Sequence, residues 1–248
     1  MNSLALSLTL AILNLNDLFI NTRGLKMDNY GQVATGRESA LATNKVLRNT
    51  YILLSMSLIF SGAMAALAMS MGVSQGMALG SIIAAFVLVW LVLPRFENSS
   101  MGIVVVFAFT GLMGFSIGPM LSHYLAIPNG GNTVMTALGG TGVIFLGLSA
   151  YVLTTRKDFS FMGGFLFVGL LVILGAAILN IFFSVPAFSL AISAGVILLM
   201  SGFILFDTSR IIHGGETNYI RATVGLYLNI HNLFVHLLHI LGAFSGDD

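Results

Sequence analysis

The side chains able to do acid–base or ligand chemistry are few in this 248-residue chain, and they lie late in it. Asp207 is the one carboxylate within any of its long apolar stretches. An ionised Asp at membrane depth costs several kcal/mol unless it is paired or hydrated. Arg210 follows at i,i+3 helical spacing, which allows an ion pair at the helix end. The other reading is a gating or cation-binding carboxylate that faces the last apolar stretch. That stretch carries Gly225, Asn229, Asn232, His236 and His239. At 100° per residue these five fall within about an 80° arc. Such a stripe belongs against protein or water, not lipid. It offers interhelical hydrogen bonds, or a proton or ion path in which the histidines titrate near neutrality.

Other arrangements carry less. His231-x4-His236-x2-His239 lacks the His-Glu-x-x-His pattern and has no nearby acid, which argues against a catalytic zinc site. Gly114-Phe-Ser116-Ile-Gly118 spells the nucleophile elbow of hydrolases, but the elbow needs a strand-to-helix turn and this segment reads as helix. His123 falls near the end of an apolar stretch and reads as solvated. The chain has no cysteine, so thiol chemistry and disulfides are excluded. No catalytic residue, metal site or cofactor is expected.

The elements that must position these groups follow from composition. Apolar residues make up 57% of the chain and charged residues 8%. A soluble domain carries roughly 25% charged residues, so an ordinary cytosolic globule is excluded. The net charge of +1 gives no basic footprint for nucleic acid. A helix crossing the hydrocarbon core needs about 20 mostly apolar residues. Charge, Pro and Gly-polar breaks divide the chain into spans at 51–72, 76–94, 101–121, 134–155, 160–184, 188–208 and 222–244. The fold class is therefore all-α, a polytopic bundle of seven transmembrane helices. Gly76/Gly80 and Gly114/Gly118 are small-xxx-small pairs suited to close helix approach.

Arg37, Lys45 and Arg48 precede the first span, and Arg95, Arg156, Lys157, Arg210 and Arg221 mark every second loop. The alternate loops have no Lys or Arg, and the tail ends in Asp247 and Asp248. Positive loops stay cytoplasmic, which places the N-terminus inside and the C-terminus outside. The 209–221 loop, with Arg210, His213 and Glu216, is then an exposed cytoplasmic surface. Residues 1–26 read as an upstream extension or an interfacial helix, with Met27 as the natural start. Residues 27–49 read as a flexible cytoplasmic tail, and 50–248 as the membrane domain.

Several long strings carry a resemblance. They are Asn44-Lys-Val-Leu-Arg-Asn-Thr-Tyr51, Phe107-Ala-Phe-Thr-Gly111, Ala150-Tyr-Val-Leu-Thr-Thr-Arg-Lys-Asp158, Ile204-Leu-Phe-Asp207-Thr-Ser, His213-Gly-Gly-Glu216-Thr-Asn-Tyr219-Ile-Arg221-Ala-Thr and Leu226-Tyr-Leu-Asn229. From about Ala42 onward the chain resembles the Bax inhibitor-1 (TMBIM) family, and within it the bacterial YccA-like branch that modulates the membrane protease FtsH.

The resemblance implies a central seventh helix with six others around it, and no hydrolytic activity. It implies two activities. One is binding to FtsH and its HflK–HflC partners in the inner membrane, restraining degradation of membrane proteins. The other is a pH-sensitive leak of calcium or protons, with calcium as a transported ion and not a cofactor. Leak-channel relatives use two facing aspartates, and here Asn229 stands at the second position. That removes one negative charge and the like-charge coupling, and a single carboxylate attracts calcium weakly. In those relatives an arginine near the end of the second span pairs with the first aspartate, and Arg95 is the nearest match. The modulator reading is therefore favoured.

Overall fold

The computed structural model describes residues 43–183 and 185–245. Seven helices among them are long and apolar enough to cross a membrane: α1 (Thr43–Ser70), α2 (Gln75–Phe96), α3 (Met101–Leu125), α4 (Gly130–Thr155), α5 (Ser160–Phe183), α6 (Pro186–Ile212) and α7 (Tyr219–Ser245). The expected seven-helix bundle is what forms. Helix α1 starts at Thr43, earlier than the expected boundary at residue 50. The segments 1–26 and 27–42, to which an extension and a tail were assigned, lie outside the described residues.

Local sequence accounts for the helix ends. Ser74 caps α2 by accepting from the Met77 amide at 3.3 Å, which satisfies one of the free N–H groups of a first turn. Asn218 caps α7, its Oδ1 accepting from the amides of Ile220 at 2.9 Å and Arg221 at 3.3 Å. Gly72 turns the chain after α1 with φ +60°, a conformation that costs glycine least. Helix α2 was expected to stop at Pro94, yet it continues to Phe96. A π-helical turn over Leu88–Val92 precedes the proline. A widened turn absorbs the lost amide and the ring clash that break an α-helix.

Helix α7 occupies the middle. Its Thr223 hydroxyl reaches the Thr50 carbonyl of α1 at 3.4 Å, and its Tyr227 hydroxyl lies 2.6 Å from Ser61 of α1 and donates to the Thr110 carbonyl of α3 at 3.2 Å. Phe234 and Leu238 pack with Ala137 of α4. Arg221 pairs with Glu97, just beyond α2, at 3.2 Å. It also packs along the length of α6. Helices α1, α3, α4 and α6 thus meet α7, and the turn after α2 is tied to it through Glu97. Helix α5 lies against α6 and is the least buried of the seven.

The two glycine pairs differ. A Cβ on Gly114 would stand 2.1 Å from the Ser61 carbonyl oxygen, and one on Gly118 2.5 Å from the Ala68 Cβ. This pair seats α3 directly on α1. A Cβ on Gly80 would meet nothing within 4 Å, and one on Gly76 only the Ser74 hydroxyl at 4.0 Å. The Gly76/Gly80 pair therefore makes no helix contact here, contrary to expectation.

Candidate functional site

Asp207 sits one turn from the end of α6, and Asn229 lies opposite it on α7. The Asn229 amide Nδ2 donates to Asp207 Oδ2 at 2.7 Å. Asn229 is only 6% exposed, so this charge-assisted bond forms away from bulk water. Gly225, one turn earlier on the same face, makes the room: a Cβ there would stand 3.4 Å from Asp207 Oδ2.

Two further members of the stripe also reach α6. His236 Nδ1 lies 3.0 Å from the Ser193 hydroxyl, and His239 Nε2 lies 3.5 Å from the Ser189 hydroxyl. Asn232 donates back to the Leu228 carbonyl of its own helix at 2.8 Å. The arrangement is an interhelical seam, with three of its five members reaching across. Sequence reasoning missed the partners Ser189 and Ser193. Their signal was available: Ser189, Ser193 and Asp207 fall within about a 40° arc of a helix.

A cavity of about 500 Å³ opens over this pair, between the ends of α2, α6 and α7. Glu97, Asp207, Arg210, Glu216 and Arg221 supply its polar lining, and Val89 and Leu93 part of its apolar wall. The arginines are committed elsewhere than to Asp207. Arg210 donates to the Gly215 carbonyl at 3.0 Å, lies 3.8 Å from Glu216 and covers the Phe206 ring. Arg221 pairs with Glu97. Of the two readings of Asp207, the ion pair with Arg210 does not form, and the carboxylate faces α7 in a hydrogen bond with Asn229. Arg95 stands apart from the site. It is exposed and its guanidinium donates to the Leu91 carbonyl of its own helix. The widened turn over Leu88–Val92 changes the phase of the helix before Arg95, and the expected pairing with Asp207 does not occur.

The loops at this end are knitted together. Asn218 donates to the Glu97 carbonyl at 3.0 Å and to Asn98 Oδ1 at 3.1 Å. His213 places Nδ1 2.9 Å from the Ser209 carbonyl and Nε2 3.1 Å from the Arg156 carbonyl. The Ser209 hydroxyl accepts from the Phe159 amide at 2.8 Å. Hydrogen bonds from Ser160, with help from the His213 charge and the Ser209 hydroxyl, hold the Asp158 carboxyl below the usual carboxylate range. His213 is thus a tie between two loops, a role that its sequence context did not reveal. His213 and the flanking diglycine are exposed, as expected of this loop.

Comparison with known proteins places the chain in a family. The family model described as inhibitor of apoptosis-promoting Bax1 matches residues 43–246. The chain is 50% identical over 222 residues to an Escherichia coli K12 protein named modulator of FtsH protease YccA, covering 89% of this chain and 100% of the relative. It is 54% identical over 211 residues to an uncharacterized membrane protein of Vibrio cholerae, covering 85% of this chain and 95% of the relative. It is 48% identical over 203 residues to an uncharacterized protein of Pseudomonas aeruginosa, covering 82% and 91% respectively.

Proposed function

The chain belongs to the Bax inhibitor family, and from that premise we propose that it binds the FtsH protease complex, including HflK–HflC, and restrains degradation of membrane proteins without catalysing a reaction itself. The observation that carries this is the 50% identity to the Escherichia coli modulator, which spans that relative's whole length.

It is a multi-pass membrane protein of the bacterial inner membrane type, with seven apolar helices. Arg95, Arg156, Lys157, Arg210 and Arg221 lie at the end of the bundle where the 97–100, 156–159 and 213–218 loops meet. Under the positive-inside rule that end is cytoplasmic, the N-terminus is inside and the C-terminus is periplasmic. The knitted loops then face the compartment in which a processive protease engages its clients. The polar segment before α1 serves as the handle. Close helix packing at Gly114, Gly118 and the Asp207–Asn229 bond makes the bundle slow to extract, so the chain occupies the machine as a poor substrate. Full-length protein and a version lacking residues 1–42 are compared for co-purification with FtsH and for turnover of a second membrane substrate. The full-length chain should co-purify and slow turnover, and the shortened one should do so less. Absence of both effects with the full-length chain removes the proposal.

A second reading is favoured by one observation, the cavity that exposes Asp207. It is a pH-sensitive leak of calcium or protons along the α6–α7 seam, with calcium as the transported ion. Liposome flux of wild type and Asp207→Asn tests it. Equal flux in both, or none in either between pH 6 and 8, sinks it.

A further inference from the structure

His231 is the one histidine of α7 that the seam does not absorb. It points away from α6 and lines a separate cavity of about 270 Å³ between α1, α3, α4 and α7. Its ring lies near that of Tyr227, centroids 5.8 Å apart and planes inclined by 30°. Among the described residues neither ring nitrogen has a hydrogen-bond partner. A neutral imidazole carries one N–H donor and one acceptor nitrogen, and leaving either unmet away from water is costly. Along a helix rising 1.5 Å per residue, His231 stands about 18 Å from one end of α7 and about 21 Å from the other. It is therefore near mid-membrane, where an unpartnered ionisable residue marks a functional site.

The cavity is lined mostly by apolar side chains, with His231 its one basic member, and its mouth is apolar. On the inner side stand His231, Tyr227 and Ser61; the Tyr227 and Ser61 hydroxyls are spent on one another at 2.6 Å, which leaves His231 as the side chain with hydrogen-bonding capacity to offer. The mouth lies between α1 and α4, where Gly62, Ala66 and Leu138 are exposed on the outer surface of the bundle. In a membrane that surface meets acyl chains. A Cβ on Gly62 would touch nothing within 4 Å, so the space beside it is open and no helix packs against it there.

We propose that this cavity binds the head ring of a lipid-soluble quinone, with the His231 N–H donating to a ring carbonyl and the isoprenoid tail leaving past Gly62 between α1 and α4. Depth selects the class. Phospholipid headgroups and fatty-acid carboxylates stay at the water boundary, because carrying them to mid-membrane requires desolvating charge. A quinone ring is flat, uncharged and weakly polar. It suits an aromatic wall and offers an acceptor oxygen to one donor. The volume lies just below the range of drug-sized pockets, as befits a single substituted ring. This site is distinct from the Asp207 cavity and does not depend on the function proposed above.

The full-length protein in phospholipid nanodiscs is titrated with decylubiquinone, and bound quinone per chain is read by native mass spectrometry. Wild type should bind one equivalent saturably. Gly62→Leu, which fills the mouth, and His231→Phe, which keeps the aromatic ring but removes the donor, should each weaken binding at least ten-fold. Gly80→Leu, an equally open glycine on α2, should bind as wild type. Thermal melts confirm that each variant is folded, and for a misfolded His231→Phe the Gly62→Leu result decides. Absence of saturable binding to wild type, unchanged binding to Gly62→Leu, or equal competition by decylbenzene, which lacks the carbonyls, overturns the proposal.

Discussion

The amide of Asn229 on α7 and the carboxylate of Asp207 on α6 are joined at 2.7 Å, in a space that Gly225 keeps clear. This bond gives the half-buried acid a donor without giving it a counter-charge. Asn229→Ala should cost about 1–3 kcal/mol, because it leaves Asp207 without its donor. Asn229→Asp should behave differently. Two carboxylates at this separation hold one proton between them. That variant should lose stability as pH rises from 6 to 8, while wild type changes little by comparison. Chemical denaturation in detergent at both pH values checks this, and flat behaviour of Asn229→Asp contradicts it.

The contrast between the glycine pairs gives a second expectation. Gly114→Ala should destabilise by about 1–3 kcal/mol, since its methyl would enter the Ser61 carbonyl. Gly80→Ala should be neutral or stabilising by up to about 1 kcal/mol, since helix propensity improves and nothing is displaced. Thermal unfolding of the two variants side by side decides it, and equal losses would refute the packing difference.

At the charged end, the cap should matter more than the ion pair. Arg221 is 56% exposed, and exposed pairs contribute about 0–1 kcal/mol. Asn218→Ala removes an N-cap and two ties to the 97–98 segment, which should cost about 1–2 kcal/mol. A larger loss for Arg221→Ala than for Asn218→Ala would reverse this order.

Asp158 links the loops to acidity. Its folded carboxyl lies below the usual range, held there first by Ser160. A depressed folded value means that its contribution is present above the unfolded value, near 3.9, and fades as pH falls through the folded one. Wild type should therefore lose loop protection on acidification below about pH 4, and Asp158→Asn should lack that dependence. Hydrogen exchange of the Phe159 and Ser160 amides reports it.

Much of this architecture was legible in the chain. Arg95, Arg156 and Arg210 bracket pairs of spans, and the Gly, Pro and polar breaks between them divide each pair, so seven helices follow from charge and turn residues together. The five-residue stripe on α7 gave the correct face, because helical periodicity survives wherever the helix is regular. Arg95 was misplaced for the opposite reason. The turn over Leu88–Val92 departs from α geometry, and phase carried across it points the wrong way. Gly76/Gly80 and Gly114/Gly118 are spelled alike, and only tertiary contact separates a packing pair from an open one. Ser189 and Ser193 stayed hidden because serine in an apolar helix usually bonds its own backbone. His213 could not be assigned because its acceptors are carbonyls, which every residue type supplies.

The position of α7 bears on biosynthesis. The helix against which α1, α3, α4 and α6 all pack is the last of the seven to emerge from the ribosome. Six earlier segments must wait in the bilayer with their inward faces unmatched, and α5 is the one that gives up least by waiting. Arrested translation before Tyr219 would leave an annulus without a hub, and such a product is a natural client for membrane quality control.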